Sequence, residues 1–531
     1  MSLVRNVGTI GGLTAVSRVF GFVRDVLIGG ALGAGAAADA WQVAFVLPNT
    51  FRRLFAEGAF SVAFVPMYTR ALHGENGSED AAEKFANDVL AVFIWVLLGF
   101  SAIAMLAMPL LVLILASDYQ DIPGKFELSV SLARITFPYL MLVSLVAMLS
   151  GLLNARSRFA PGAIVPVLLN IALICAIGVG YALRTAGGND ATMAYALAFG
   201  LTAAGVLQLA YMAWATRKAG VRLKVSLPKL TPDVRRLTLL ILPATFGAGV
   251  YQVSQFVDTF FATSLPQGSL TLLKFADRLN QMPLGIIGIA LGTAILPMLA
   301  RHIQSNDERE AQRLQTNAVE MALLLTLPGA VALAICAPAF TTAFFKHGQM
   351  TGADTATMAN ITMALVAGLP SYVLIKVFQP GFFSREDTRT PVWVAAGALL
   401  MNIALNFYVV PRYGIVGLAA ATAITATLNV ATLYTILQLR GWFRWSWKLT
   451  GRVARQVLAS AAMGAALWLV LPLMERRYDG SFVERAWSLG ALVALGLVVF
   501  FAAAWLLGAI DKDLIAQLRR RRPPHPIDAS G

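Results

Sequence analysis

The sequence predicts an all-α integral membrane protein of about fourteen transmembrane helices, in two six-helix halves followed by two further helices. Three observations predict it. First, of 531 residues 58% are hydrophobic and only 13% charged, against about 45–50% and about 25% in soluble domains. Second, the apolar residues come in runs such as Val89–Ala116, Ile164–Leu183, Val394–Val410 and Leu489–Gly508. Each run reaches or approaches the roughly 20 residues that cross about 30 Å of hydrocarbon. Third, two blocks of sequence recur at one offset of about 230 residues, as in transporters built from a parallel repeat.

The expected spans are about 8–33, 38–70, 87–117, 128–154, 160–183, 192–216, 236–264, 270–300, 315–345, 355–384, 391–411, 414–439, 453–474 and 485–508. No alternating strand pattern is visible, so the spans are helices rather than a barrel. No cleavable leader is expected, because Met1–Asn6 runs straight into a glycine-rich segment carrying Arg18 and Arg24.

In the repeat, Glu57–Arg70 matches Gly288–Arg301, with Pro66 meeting Pro297, and Gly151–Pro161 matches Gly381–Pro391. The shift is an even number of helices, so the halves share one orientation. The expected division is a lobe at 1–220, a second at 221–441, the added helices at 442–510 and a basic tail at 511–531. Basic loops set direction. Arg156 and Arg158, the cluster Arg217–Arg236, the cluster Arg440–Arg455 and the run Arg519–Arg522 all fall on one side if the count is fourteen. Both termini are then cytoplasmic, and the final arginines anchor the tail to anionic lipid.

A net charge of +14 does not indicate nucleic acid here, because it is divided among short loops. Cys175 and Cys336 lie far apart in apolar runs and imply no disulfide framework. The four histidines lie in loops or the tail without metal-ligand spacing. No P-loop, G-x-S-x-G or H-E-x-x-H motif is visible, so the chain is not expected to be an enzyme, to hold a metal or to need a cofactor.

Charges inside spans are costly and default to function. The cations are Arg18, Arg24, Arg52, Arg53, Arg134, Lys274, Arg278 and Lys376; the acids are Asp25, Asp39, Glu57, Asp258 and Asp277. Arg18 and Asp25 are two turns apart on one helix face, and Arg53 and Glu57 are i,i+4 partners, as substrate-cavity residues or as a structural ion pair. Lys274, Asp277 and Arg278 share a face of the eighth span. The first, second and eighth spans thus turn charge inward. Arg18, Arg24, Arg52 and Arg278 outnumber their acids, and surplus guanidinium suits a phosphate group. Asp258, Asn402, Asn406 and Thr422 form a second set of oxygen ligands, read either as a small-cation site or as interhelical hydrogen bonding.

These residues stand in longer motifs. From Arg18 the chain reads R-x-x-G-x-x-R-D, and from Leu47 L-P-N-x-x-R-R-x-F-A-E-G-A-F. Further on come Phe275–Pro283 and Lys376–Pro391. Together they resemble the MurJ/MviN family over nearly the whole chain, least clearly after Gly441. The resemblance implies the fold of the multidrug/oligosaccharidyl-lipid/polysaccharide exporter superfamily, with two six-helix lobes in a V and a lipid-facing groove at the last two helices. It implies flipping of the lipid-linked peptidoglycan precursor lipid II, from the cytoplasmic to the periplasmic leaflet of the bacterial inner membrane, for cell wall synthesis. By motif match, the family's cavity residues fall on Ser17, Arg18, Arg24, Asp25, Asp39, Arg52, Arg53, Asp277 and Arg278. Expected partners are lipid II, membrane lipids and the cell-wall synthesis machinery, for a monomeric chain coupled to membrane potential, sodium ion or proton. Alternatives are an exporter of another lipid-linked oligosaccharide, a cation-coupled drug exporter of the same fold, and a non-transporting membrane scaffold. The chain departs from some members at Val46, Gln281 and Asn406, and a neutral Asn406 weakens a cation site.

Overall fold

A computed structural model describes residues 3–53, 60–75, 77–474, 477 and 480–509, with backbone alone at 3–10, 61, 62, 242–251, 286–294 and 482. Glu57 and the run Arg519–Arg522 lie outside the described residues. Among the described residues there is helix and no strand. In order, the helices are α1 (Leu3–Leu32), α2 (Ala36–Arg52), α3 (Ser61–His73), α4 (Glu79–Leu106), α5 (Met108–Leu115), α6 (Lys125–Thr136), α7 (Pro138–Ala155), α8 (Ala160–Thr185) and α9 (Asp190–Lys218). Then follow α10 (Pro232–Thr263), α11 (Ser269–Gln304), α12 (Glu308–Phe345), α13 (Gly352–Val366), α14 (Leu369–Phe383), α15 (Arg389–Leu439), α16 (Trp447–Met474) and α17 (Phe482–Leu506).

Within the described residues every expected apolar segment is helical, and proline explains where a span becomes two helices at α4–α5, α6–α7 and α13–α14. Pro109, Pro138 and Pro370 stand in the first turns of α5, α7 and α14, where a residue without an N–H costs nothing. Conversely, the spans expected at 391–411 and 414–439 run together as α15. It is two helices meeting at Gly414, whose φ of 57° and ψ of −141° are open to glycine alone at little cost. Among the described residues, nine helical segments are long and apolar enough to cross a membrane. Helices α1, α2, α10 and α11 are not among the nine, and they carry most of the charges singled out above: Arg18, Arg24 and Asp25, Asp39 and Arg52, Asp258, and Lys274, Asp277 and Arg278.

The chain forms two compact units interleaved along the sequence. The first is Met1–Arg278, Phe344–Ile361 and Ala395–Ala421; the second is Leu279–Ala343, Thr362–Val394 and Thr422–Gly531. A core in the first unit is built from α3, α4, α7 and α9, with Phe60, Phe64, Phe85 and Phe93 stacked. A core in the second comes from α11, α12, α14 and the end of α15, with Phe378, Phe382 and Phe443 at its centre. These are equivalent helices of the repeat. The equivalence extends to single contacts: Arg156 pairs with Glu79, and Arg385 with Glu308, both partners shifted by 229 residues. Ser157 and Glu386, which follow those arginines, hold φ of 59° and 62°, so the two loops turn alike.

Candidate functional site

The charged site begins on α1, in the first unit. Arg24 and Asp25 are neighbours, and the guanidinium folds back so that Nε donates to Asp25 Oδ1 at 2.9 Å and Nη2 to the same oxygen at 2.6 Å. Its third arm, Nη1, donates to Asn170 Oδ1 on α8 at 2.8 Å. Asn170 Nδ2 in turn donates to the backbone oxygen of Ser17 at 3.0 Å, locking the amide between α1's backbone and Arg24. The other carboxylate oxygen of Asp25 meets Arg278 Nε of α11 at 2.6 Å. Arg24, Asp25 and Asn170 are buried, whereas the Arg278 side chain is 42% exposed.

One carboxylate between two guanidiniums leaves a surplus positive charge. In a membrane protein that charge is poorly screened by solvent and attracts an anion strongly. The fork of Arg278 is engaged through Nε, and its exposed side can meet two oxygens of a phosphate at once. Arg18 lies exposed on the same helix. Lys274, one turn before Arg278, lies within electrostatic reach of Asp277, Asp258, Arg53 and Arg278. Arg52 donates from Nε and Nη2 to Asn49 Oδ1, at 3.2 and 3.0 Å. Arg53 ends α2, its backbone N–H bonded to Asn49 and Thr50. The expected Arg53–Glu57 pair falls outside the described residues.

Asp39 does not join the arginines. It is buried at the start of α2, and its charge is met by Lys125 Nζ at 2.9 Å. Its oxygens also accept from the backbone N–H of Gly268 at 2.8 Å, the N–H of Thr271 at 3.2 Å and the Thr271 hydroxyl at 2.8 Å. Asp39 therefore caps the N-terminus of α11 from another helix, satisfying orphan N–H groups at its positive end. Lys125, which the sequence places in a short loop, begins α6 instead and lies over the ring of Tyr119 at 3.8 Å.

Of the second oxygen set, Asn406 Nδ2 donates to Asn402 Oδ1 at 3.0 Å, one turn apart on α15 and both buried. Among the described residues, Asn406 Oδ1 and Asp258 Oδ1 have no hydrogen-bond partner. Asp258 on α10 has Lys274 and Asp277 as its charged neighbours. Thr422 belongs to the second unit. Asn170 is the residue that sequence reasoning missed. A lone amide in an apolar run carries no charge to mark it, and only its place in a span was a signal.

The model of the family described as "Lipid II flippase MurJ" matches residues 28–487. A probable lipid II flippase MurJ of Rhizobium tropici is 38% identical, covering 100% of this chain and 99% of its own. The lipid II flippase MurJ of Burkholderia cenocepacia is 33% identical, covering 96% and 98%. A solved lipid II flippase MurJ in an inward closed conformation has a TM-score of 0.77 at 24% identity, covering 95% of this chain and 99% of its own. An inward-facing multidrug MATE transporter of the MOP superfamily reaches 0.67 at 13% identity, over 80% and 94%. Those two likenesses speak for the fold, and the matches along the sequence for the lineage. With its paired arginines carried on such a fold, the chain belongs to the lipid II flippase MurJ family.

Proposed function

We propose that this chain flips lipid II from the cytoplasmic to the periplasmic leaflet of a bacterial inner membrane, with both termini cytoplasmic, by alternating access. The observation that carries the reading is the Arg24–Asp25–Arg278 cluster, a net cation within expected membrane spans, with one guanidinium 42% exposed. The diphosphate of the substrate engages Arg278, with Arg18 and Arg52 as further cations, while Asp25 and Asn170 keep Arg24 in place. No bond is made or broken. Where sodium is the coupling ion, Asp258, Asn402 and Asn406 of the first unit are its ligands.

The test is lipid II translocation in cells depleted of the native flippase, comparing wild type with Arg24→Ala and Arg278→Ala at equal membrane abundance. Both variants are expected to lower outer-leaflet lipid II by at least about tenfold, the effect of roughly 1.4 kcal/mol. Normal translocation by both would make these arginines structural and bring the scaffold reading forward.

A further inference from the structure

A cavity of about 460 Å³ lies within the first unit between α2, α5, α10 and α15. It falls in the size range of small-molecule pockets, about 300–1,000 Å³, but nothing about it suits a polar molecule. All eleven lining residues are apolar. Its floor is buried Leu47, Leu115 and Phe261. Its walls are held by ring contacts, Phe51 with Phe256 at 6.4 Å and Phe261 with Phe407 at 5.1 Å. Beside Leu115 of the lining, the Thr263 hydroxyl donates to the Leu115 backbone oxygen at 2.9 Å and ties the end of α10 to that of α5.

The mouth identifies the occupant. Ile114 and Phe407 at the rim are 63% and 66% exposed. They continue into exposed Leu106 and Leu110 on one side and Leu400 and Met401 on the other. Leu106 lies on α4 and Leu400, Met401 and Phe407 on α15, helices long and apolar enough to cross a membrane, and Leu110 and Ile114 continue the apolar run of α4; a mouth among such residues suits hydrocarbon. Water there would find almost no polar partner, and an empty cavity would forfeit dispersion contacts along its whole lining. No charged group lines it, so no headgroup is held inside.

We propose that this cavity binds one acyl chain of a membrane glycerophospholipid, inserted from the leaflet at the α5 and α10 C-terminal ends. The chain fills the gap between α2 and the α10–α15 pair, and its headgroup stays at the membrane surface. This site is separate from the arginine cluster and stands whatever the transported substrate is.

The experiment uses the full chain in nanodiscs containing phosphatidylethanolamine with a photoactivatable diazirine at the acyl terminus. Labelling at 111–115, 256–261 and 403–407 is expected to exceed, several-fold, that on the exposed face of α17 at Val493, Leu497 and Val498. Ile403→Trp, which fills the cavity, should reduce labelling of the other two segments to the α17 level. Leu111→Trp, from the opposite wall, serves the same purpose if the first variant does not accumulate. Labelling equal to that of α17, or unaffected by both filling variants, overturns the proposal. A parallel arm carries the diazirine on a polyprenyl phosphate, and selective labelling by that probe alone assigns the cavity to an isoprenoid and overturns the acyl-chain assignment.

Discussion

Asp25 and Asp39 are both buried carboxylates in the first unit, fourteen residues apart, and their surroundings are opposite in kind. Asp39 meets one cation and three further donors, which fill the roughly four lone-pair sites a carboxylate offers. Its partner Lys125 is buried with it, and the pair sums to zero charge. Asp25 meets two guanidiniums, one buried and one exposed, and that set sums to a cation with an open side. A closed neutral set ties helices together. An open set with surplus charge can take a ligand. Sequence reasoning weighed the two acids alike, because both are aspartates in apolar spans.

Breaking the closed set should have the largest effect. Asp39→Ala leaves Lys125 buried without a counter-charge and uncaps α11, costing roughly 3–5 kcal/mol. Membrane abundance and the unfolding temperature in detergent should both fall sharply. The neutral double change Asp39→Asn with Lys125→Met should recover much of that loss, since replacing a whole buried pair is often tolerated. Recovery of stability together with transport makes Asp39 a structural tie. Recovery of stability with transport still absent would move Asp39 into the binding set that the resemblance assigns to it.

The open set can be sharpened through the residue no charge pattern marked. Asn170→Asp keeps an acceptor for Arg24, gives up the donor to the Ser17 backbone oxygen and cancels the surplus positive charge of the cluster. Folding should survive, because the new carboxylate lies against a guanidinium. Transport should fall about tenfold or more, an effect of roughly 1.4 kcal/mol on anion attraction. Asn170→Leu removes the hydrogen bonds but leaves the charge, so a smaller loss of transport is expected from it. If the two variants lose transport equally, orientation of Arg24 matters and net charge does not.

Much of this was legible because membrane insertion writes itself into composition. Apolar runs marked the helices, and charges inside them marked Arg24, Asp25 and Arg278 before any geometry was known. The repeat was visible in two blocks, and the structure adds its paired loops, Arg156–Glu79 and Arg385–Glu308. What stayed hidden depends on tertiary contacts. Lys125 read as a loop cation because its burial requires α6 to begin there and Asp39 to come alongside. Asn170 went unmarked because a neutral amide leaves hydropathy nearly unchanged. Proline divided spans at α5, α7 and α14 without altering their hydropathy.

The loop after α14 offers the smallest effect and a control at the aqueous edge. Asp387 accepts from the Thr390 backbone N–H at 3.0 Å and its hydroxyl at 2.6 Å, and pairs with Arg440 at 2.5 Å. Burial opposes its charge, but the Thr390 hydroxyl and N–H and the Arg440 guanidinium outweigh it, holding the carboxyl at about 2. Its ordinary value in an unfolded chain is about 3.9. A carboxyl depressed on folding contributes stability that is complete well above pH 4 and is lost as the pH falls toward 2. Arg440 is partly exposed, so solvent screening reduces the contribution to about 1 kcal/mol. Asp387→Asn should therefore lower the unfolding temperature modestly at pH 7, and the gap to wild type should narrow as the pH drops to 3. Transport at pH 7 should be unchanged, because Asp387 lies on a loop of the second unit, outside the arginine cluster of the first. A gap that stays constant with pH would mean that Asp387 acts through the shape of its turn, which the asparagine alters, rather than through its charge.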